Sequence, residues 1–532
     1  MNRTRIFFLL SMMLCLIMGC SGIATTPTAL PTETATPPSQ PTIAPAPTTT
    51  DSPAATPTLT PEPSLRTNGP YFSYFRQVDG AYQLVLMDAD GGGRKVIDLP
   101  QGITDSLPNK NFGLDMKFVS PDGKWLAFYT GSPGNYGFGQ DLGNGPFDLT
   151  LNLLDLETGE KQDIALLLSK DYPNNFSEAE KQINKPEITA VTLQSAFLAG
   201  ITNAIAWSPD GKHLAFAGQM DGLSSDLYLY DMTTKKIQRL SSGDEELQWI
   251  NWSPDGKWII HGSIYWVGEG MIYDIYAASV DDVVVKYLVK ASAVGSWLDP
   301  NTLIVYDNQN VFGDFEFRLI DIKTGSVRKI WDGPVLSVAL NPIEKKFVLF
   351  AYMFGQSPYL SAEPDPNFVP GLYLIDLKTF KRTYIKALSD NSSGYSISSF
   401  GVGENVFAFL GVGADQDSYL FSKTDEVSPL GIKGIEVIES SPDRSHWIAV
   451  TDTGINIYSA SNVLINSIDL PFHDLLTIQR TEFLWQPDSS GLILVSGENL
   501  YSVNISTDAV NLMETNLINN NYGSTYKWLT GQ

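Results

Sequence analysis

The sequence is short of cysteine, histidine and basic residues. Its 532 residues include two cysteines, four histidines, and 35 lysines and arginines against 59 aspartates and glutamates. Both cysteines lie within the first 20 residues, which excludes a scaffold stapled by disulfides. The histidines have no zinc-site spacing, so we expect no metal site and no cofactor. A net charge of −24 argues against a nucleic-acid partner, because binding phosphates needs a basic surface.

Long apolar runs are also scarce. The longest after the N-terminal segment, residues 188–207, is interrupted by Thr, Gln, Ser, Gly and Asn, which predicts that it does not span a membrane. At the N-terminus, Arg3 and Arg5 precede an apolar run over residues 6–18 that ends at Gly19 and Cys20. A basic start, a short apolar core and a small residue before the cut are typical of an export signal. A membrane span would need about 20 apolar residues.

Residues 17–20, Ile-Met-Gly-Cys, resemble the lipobox of bacterial lipoproteins. The resemblance implies that the signal peptide is residues 1–19 and that Cys20 carries acyl chains such as palmitate. It also implies a location at the extracytoplasmic face of a cell membrane, with the membrane as a partner through the lipid anchor. The alternative is an ordinary secretory signal with an incidental cysteine.

Residues 20–69 form a linker that is almost wholly Thr, Pro, Ala and Ser. Proline fixes φ and removes backbone donors, so we expect a disordered stalk with extended polyproline II character. This segment either lifts the following domain clear of the envelope or only tethers it.

From Tyr71 onward the chain repeats. Residues 118–128, 207–216 and 252–260 each carry Ser-Pro-Asp-Gly-Lys before an apolar strand. Weaker copies place prolines at Pro300, Pro342, Pro442 and Pro487. A period of roughly 44 residues is typical of the four-stranded blades of a β-propeller. Pro-Asp-Gly is a turn sequence, and the hairpin at Asp226 to Asp231 completes a four-stranded meander.

This repeat resembles that of TolB-like propellers and of dipeptidyl-peptidase propellers. The resemblance covers residues 70–532, which we interpret as one all-β propeller with an insertion at about 165–203. It does not extend to whole proteins, because the peptidases carry a Gly-x-Ser-x-Gly elbow that is absent here. We count about eight blades. Pairing residues 70–98 with Tyr526 to Leu529 would close the ring but would make nine, so we expect one unit that is irregular or lies outside the ring.

The predicted blades place all long connections on one face. These are residues 130–147, 261–273, 351–370 and 165–203, whereas the Pro-Asp-Gly turns lie on the other face. Long loops on a rigid scaffold commonly bind ligands, and aromatic side chains suit a protein or glycan partner. The candidate binding residues are Tyr136, Phe138, Tyr265, Trp266, Tyr352, Phe354 and Tyr359. The alternative is that these aromatics pack the loops onto the rim.

Signs of catalysis are few, and we assign no catalytic residue. Asp122, Asp210 and Asp255 are interpreted as turn formers, and residues 88–91 as a turn instead of a calcium loop. The leading hypothesis is therefore a surface-tethered, non-catalytic binding or scaffold propeller. The alternative is an extracytoplasmic glycosidase-like hydrolase that uses loop carboxylates as acid and base. Its candidate residues are Glu269, Asp314, Glu363 and Asp365.

Overall fold

The computed structural model describes residues 64–100, 103, 114–131, 148–168, 204–221, 224–242, 247–267, 270–308, 314–335, 337–351, 369, 371–385, 395–411, 417–473, 475–518 and 524–530. The chain divides into two units, residues 1–61 and 62–532, and all described residues belong to the second. The signal peptide, Cys20 and most of the predicted stalk therefore lie outside the described residues. Within them, no helix is long and apolar enough to cross a membrane.

Most of the described chain is β-strand. The first strands are β1 (Tyr71–Val78), β2 (Ala81–Asp88), β3 (Arg94–Asp98), β4 (Trp125–Thr130), β5 (Thr150–Asp155), β6 (Lys161–Leu166), β7 (Ile205–Trp207), β8 (His213–Gly218), β9 (Asp226–Asp231), β10 (Lys236–Arg239), β11 (Leu247–Trp252), β12 (Trp258–Val267), β13 (Gly270–Ser279) and β14 (Val285–Ala291). The middle strands are β15 (Ala293–Asp299), β16 (Thr302–Asn308), β17 (Asp314–Asp321), β18 (Val327–Pro334), β19 (Ser337–Asn341), β20 (Lys346–Ala351), β21 (Gly371–Asp376), β22 (Arg382–Ile385), β23 (Tyr395–Val402), β24 (Asn405–Gly411), β25 (Asp417–Ser422) and β26 (Val427–Lys433). The last strands are β27 (Val437–Ser440), β28 (His446–Thr451), β29 (Gly454–Ser459), β30 (Leu464–Ile468), β31 (Glu482–Trp485), β32 (Gly491–Ser496), β33 (Asn499–Asn504), β34 (Val510–Glu514) and β35 (Tyr526–Leu529). Two short helices accompany them, the 3-10 helix η1 (Met116–Phe118) and the α-helix α1 (Leu475–Arg480).

These strands form nine antiparallel sheets, each of which is one blade of a propeller ring. Blade 1 combines β35 with β1, β2 and β3, and blade 2 contains β4, β5 and β6. Blades 3 to 9 each use four consecutive strands, from β7–β10 in blade 3 to β31–β34 in blade 9. The prediction of a single all-β propeller is confirmed, and the ring has nine blades where about eight were expected.

Apolar side chains fill every interface between neighbouring blades. In β20, Phe347 and Leu349 pack toward blade 5, whereas Val348 between them packs toward blade 7. A strand that is buried on both faces needs apolar residues at consecutive positions, which explains the unbroken apolar runs of the repeat. A further core cluster joins blade 9 to blade 1 through Ile493 and Phe72, so the ring is closed.

The ring closes by pairing the two ends of the propeller sequence. Strand β1 pairs with β35 in antiparallel register from Tyr71 opposite Leu529 to Tyr74 opposite Tyr526. Phe72 and Trp528 meet edge to face across this pair, with their ring centroids 5.2 Å apart. The predicted pairing of the first and last segments is therefore confirmed, and it forms a complete blade.

Blade 2 is the irregular unit. Its innermost segment, predicted as a strand near Phe118, is instead η1, followed by a single bridge between Val119 and Leu126. The Asp115 carboxylate accepts a hydrogen bond from the Lys117 backbone N–H at 2.9 Å, which caps this turn. The backbone N–H of Met116 donates to the Ser524 carbonyl at 2.7 Å. This segment therefore bonds to the residues that lead into β35.

We call the side of the ring that carries the Pro-Asp-Gly turns the turn face. In blade 4, Ser253 Oγ donates to Asp255 Oδ1 at 2.7 Å and accepts from the Trp258 backbone N–H at 3.0 Å. Ser208 and Ser441 make the same pair of bonds in their own blades. These repeat aspartates therefore form turns, as predicted.

The outer hairpins add a second turn of fixed geometry on the same face. The Asp231 carboxylate accepts the backbone N–H groups of Thr233 and Thr234 at 2.7 and 2.8 Å. The carboxylates of Asp155, Asp321 and Asp376 each accept the backbone N–H of the threonine three residues later. An aspartate that binds the following backbone stabilises a tight turn without other partners.

The opposite side of the ring, which we call the insertion-bearing face, has no such uniformity. Connections on the turn face contain at most five residues between strands. On the insertion-bearing face they range from one residue, Ser292, and two residues, at 452–453 and 497–498, to the segments 131–149, 167–204 and 352–370. The predicted placement of the long connections at 130–147, 165–203 and 351–370 on one face agrees with this strand order.

Candidate functional site

Most of the predicted binding aromatics lie in the long connections. Tyr136, Phe138, Tyr352, Phe354 and Tyr359 are outside the described residues. The same holds for three of the four candidate carboxylates, Glu269, Glu363 and Asp365, while Asp314 is the first residue of β17. The proposed binding and hydrolytic roles of these residues stay predictions.

Tyr265 and Trp266 occupy a different setting from the predicted loop. Strands β12 and β13 continue through them, with Tyr265 opposite Ile272 and Val267 opposite Gly270. Both strands contain ten residues, which makes this the longest hairpin among the described residues. The prediction of a loop over residues 261–273 was wrong, because apolar, β-branched and aromatic residues fill the segment and favour continued pairing. This hairpin projects from the insertion-bearing face of blade 4.

An ion-pair cluster lies on blade 3, the neighbour of blade 4. The Arg239 guanidinium contacts the buried Asp226 carboxylate and lies 3.3 Å from that of Asp221. Tyr228 donates a hydrogen bond to Asp221. Burial, together with this acidic partner, raises the pKa of Tyr228 far above its ordinary value, so the phenol stays protonated. The cluster fixes the end of blade 3 where residues 219–225 connect its strands.

His261 lies deep in the interface between blades 3 and 4. Its side chain is buried, and neither ring nitrogen has a hydrogen-bond partner among the described residues. The ring stacks on Tyr276 with centroids 5.4 Å apart and planes 13° apart. Burial lowers the pKa of His261 to about 4, so the ring is neutral near pH 7. Sequence reasoning missed this group, because burial depends on the neighbouring blade.

The other histidines and the repeat tryptophans are structural. His213 and His446 are half-buried on repeat strands, as predicted, and His473 is exposed. Trp207 and Trp252 are buried, and each indole N–H donates to a backbone carbonyl of the preceding blade, at 2.9 and 3.0 Å. These tryptophans tie neighbouring blades together. In the part of the chain that the structure describes, no group of three or more His, Cys, Asp or Glu residues has the arrangement of a metal site.

The segment that leads into the propeller is attached to the turn face. The buried Asp88 carboxylate accepts hydrogen bonds from the Arg66 backbone N–H at 3.0 Å and from Thr67 Oγ1 at 2.8 Å. Arg66 Nε adds an ion pair to the same carboxylate at 3.2 Å. Residues 88–91 thus form a turn, closed by the Gly91 N–H on the Asp88 carbonyl at 2.8 Å. The side chains of this turn bind the end of the linker.

Comparison with known proteins gives partial matches. No family model matches the chain. It is 26% identical over 207 residues to dipeptidyl-peptidase 5 of Aspergillus fumigatus, a match that covers 36% of this chain and 25% of that protein. The chain thus spans about a quarter of the length of this curated relative.

Two solved propeller-containing structures are among its structural neighbours. Dipeptidyl peptidase 4 of Porphyromonas gingivalis is 10% identical with a TM-score of 0.40, covering 83% of this chain and 65% of that one. TolB of Acinetobacter baumannii is 19% identical with a TM-score of 0.26, covering 59% of this chain and 62% of that one. The chain is a nine-bladed β-propeller with TolB and dipeptidyl-peptidase structures among those it is similar to.

Proposed function

We propose that this chain is a non-catalytic binding or scaffold propeller, held at the extracytoplasmic face of a cell membrane by acyl chains on Cys20. It engages a protein or a glycan through the insertion-bearing face. The observation that carries the proposal is the contrast between the faces. Connections of at most five residues, bonded to themselves, make up one face, and segments such as 131–149 and 352–370 all belong to the other.

The turn face has little capacity left for a partner at its repeat turns. The carboxylates of Asp210, Asp255 and Asp443 are occupied by serine hydroxyls within their own turns. On the insertion-bearing face, the strands of the ring hold both ends of each long connection. Binding residues commonly lie on such connections.

The attachment of the linker favours the same orientation. Arg66 and Thr67 bind Asp88 on the turn face, so the tether joins the propeller on that side. The described end of the linker, residues 64–67, is therefore on the opposite side of the ring from the proposed binding face.

The propeller itself provides a template for removing one long connection. Ala351 pairs with Gly371 at the ends of β20 and β21, as Thr451 pairs with Gly454 at the ends of β28 and β29. Gly371 and Gly454 also share nearly the same φ, 144° and 148°. Replacing residues 352–370 by the two residues Asp-Thr, as in Asp452-Thr453, should therefore keep the blade intact.

The test measures binding of the full chain to a glycan array and to purified envelope proteins. We expect the shortened variant to lose binding about tenfold or more, since hot spots of binding energy are few and concentrated. The control is Asn462→Gly, a change in a turn of the opposite face at φ 62°, which should bind like wild type. Equal binding by wild type and the shortened variant would contradict a role for this connection.

The same purified protein distinguishes the two hypotheses, a binding propeller and a hydrolase. Incubation with polysaccharides and peptides should leave them intact if the chain only binds. Catalytic release of fragments that is lost in Asp314→Asn or Glu363→Gln would instead support the carboxylate hydrolase. The anchor is tested separately, because Cys20→Ser should release the protein from membranes without changing its binding to soluble partners.

A further inference from the structure

The turn face contains one cleft that its repeated turns do not explain. It lies between blades 5 and 6 and has a volume of about 440 Å³. Its floor is apolar, and its rim carries three basic residues together with the carboxylates of Asp299 and Asp321. The Asp321 carboxylate accepts hydrogen bonds within its own turn, from the backbone N–H and the hydroxyl of Thr324. The floor residues are Leu298, Leu319 and Leu377, and the basic rim residues are Arg328, Lys345 and Lys378.

The contact that joins blade 6 to blade 5 on this face differs from the one in the repeat. In blades 3 and 4 a tryptophan before the proline donates to the preceding blade, but Leu340 stands at that position in blade 6. A lysine provides the tie instead. Lys345 Nζ lies 2.8 Å from the Leu298 carbonyl and 2.8 Å from Asp299 Oδ2. Lys345 and Asp299 are therefore already paired, and they hold the two walls of the cleft in place.

An aromatic ring forms the outer part of the cleft. Phe380 lies at φ 62° in the turn between β21 and β22, a conformation that L-residues adopt at a cost. The ring is half-buried, and the Arg328 guanidinium carbon lies 3.3 Å from its centroid. Cation–π contact of this kind orients the guanidinium across the ring while its N–H groups stay available to an anion.

Two cations on the rim lack an acidic partner. Among the described residues, neither Arg328 nor Lys378 has a carboxylate within 4.0 Å, whereas Lys345 and Lys346 each have one. Both Arg328 and Lys378 are exposed. Both cations therefore keep their full charge beside an apolar floor.

We propose that this cleft binds a short acidic peptide segment of a partner protein. The peptide carboxylate lies between Arg328 and Lys378, and an adjacent apolar or aromatic side chain covers Phe380 and the leucine floor. A planar guanidinium suits a carboxylate, and the volume is within the range that holds a few side chains. The leucine floor disfavours an acidic sugar, whose hydroxyls would lose their hydrogen bonds there. The net charge of the chain disfavours an anionic lipid surface.

This site is on the opposite face from the one in the proposed function, and it depends neither on the anchor nor on the long connections. The test uses the full chain and titrates three peptides by calorimetry. They are acetyl-Gly-Phe-Glu-Gly-amide, its Gln analogue in place of Glu, and acetyl-Gly-Phe with a free carboxylate. We expect saturable binding of the Glu peptide and about tenfold weaker binding of the Gln analogue. The third peptide distinguishes a terminal carboxylate from a side-chain carboxylate.

Variants assign the binding to the cleft. The double variant Arg328→Gln and Lys378→Gln should weaken the Glu peptide about tenfold. The control, Lys323→Gln with Lys381→Gln, removes the same charge from exposed positions of the same face outside the cleft lining and should bind like wild type. Phe380→Gly relieves the positive φ but removes a ring that packs against the core between blades 5 and 6, so it is titrated at a temperature where the variant is fully folded, and we expect weaker binding there. Equal loss in the control, equal binding of the Gln analogue, or stronger binding of a glucuronic-acid disaccharide would overturn the proposal.

Discussion

The turn face and the insertion-bearing face of the ring differ in how their structure is specified. On the turn face, the same serine, aspartate and left-handed residue recur in blades 2, 3, 4 and 8, and each of these turns is closed by bonds within five residues. On the insertion-bearing face, two-residue hairpins alternate with long segments, and the described contacts there are individual, such as Arg239 with Asp221 and Asp226. Short repeated sequences thus set the turn conformations of one face, whereas the connections of the other face differ in length and contacts.

The largest expected effect comes from two glycines with positive φ that have different surroundings on the two faces. A Cβ at Gly454, in a two-residue hairpin of the insertion-bearing face, would lie 2.4 Å from the Ile468 carbonyl oxygen at φ 148°. A Cβ at Gly159, on the turn face, would meet nothing within 4 Å at φ 75°. We expect Gly454→Ala to lower the free energy of unfolding by about 3 kcal/mol and Gly159→Ala by about 1 kcal/mol. Urea unfolding of both variants measures the difference, and equal losses would contradict the crowding argument.

The next effect is a loss of stability in mild acid caused by His261. Its pKa is about 4 in the folded protein against 6.5 when unfolded, so the unfolded chain binds the proton more tightly between these values. The contribution of neutral His261 to the free energy of unfolding is fully present above about pH 6.5. It falls by roughly 3 kcal/mol as the pH drops to about 4. Asp274 and Tyr276 are the nearest ionisable groups on the paired strand β13. His261→Leu should flatten this part of the profile.

The control for acid unfolding is His473→Leu, which changes an exposed histidine and should leave the profile unchanged. The turn face responds at lower pH. Backbone hydrogen bonds from Thr234 and Thr324 lower the pKa values of Asp231 and Asp321 below 3.8. Their contribution is present above that value and is lost as the pH falls through the lowered pKa. A profile that is identical in wild type and His261→Leu would show that the interface between blades 3 and 4 does not respond first.

The smallest effect is at a single repeat turn. Ser253→Ala removes a buried hydroxyl that joins Asp255 to the Trp258 backbone, so we expect a loss of about 1–2 kcal/mol in the free energy of unfolding. The control is Ser506→Ala, an exposed serine in the outer turn of blade 9, which should change stability by less than about 0.5 kcal/mol. Thermal unfolding of both variants tests whether the repeated serine supports the uniform face.

Much of the propeller could be predicted because its signals are local. The Pro-Asp-Gly turns, the apolar strands and the segments that close the ring are legible in contiguous residues, and Tyr71 pairs with Leu529 as expected. The errors arose where the extent of strand pairing was misjudged. Residues 264–267 continue a strand instead of forming a loop, and the predicted inner strand near Phe118 is a 3-10 turn bonded to Ser524. The candidate aromatics of the long connections could be named from composition, but their binding role is still a prediction.

The sequence by itself determined the repeat, the turn chemistry and the asymmetry of the two faces, because each depends on residues close together in the chain. Only the tertiary structure decided the number of blades, the burial of His261, the binding of Asp88 by the linker and the cleft between blades 5 and 6. These features depend on contacts between blades. Trp207 reaches Phe118, 89 residues away, and Lys345 reaches Asp299, 46 residues away. Such contacts follow from the packing angle of one blade on the next, which no short segment encodes.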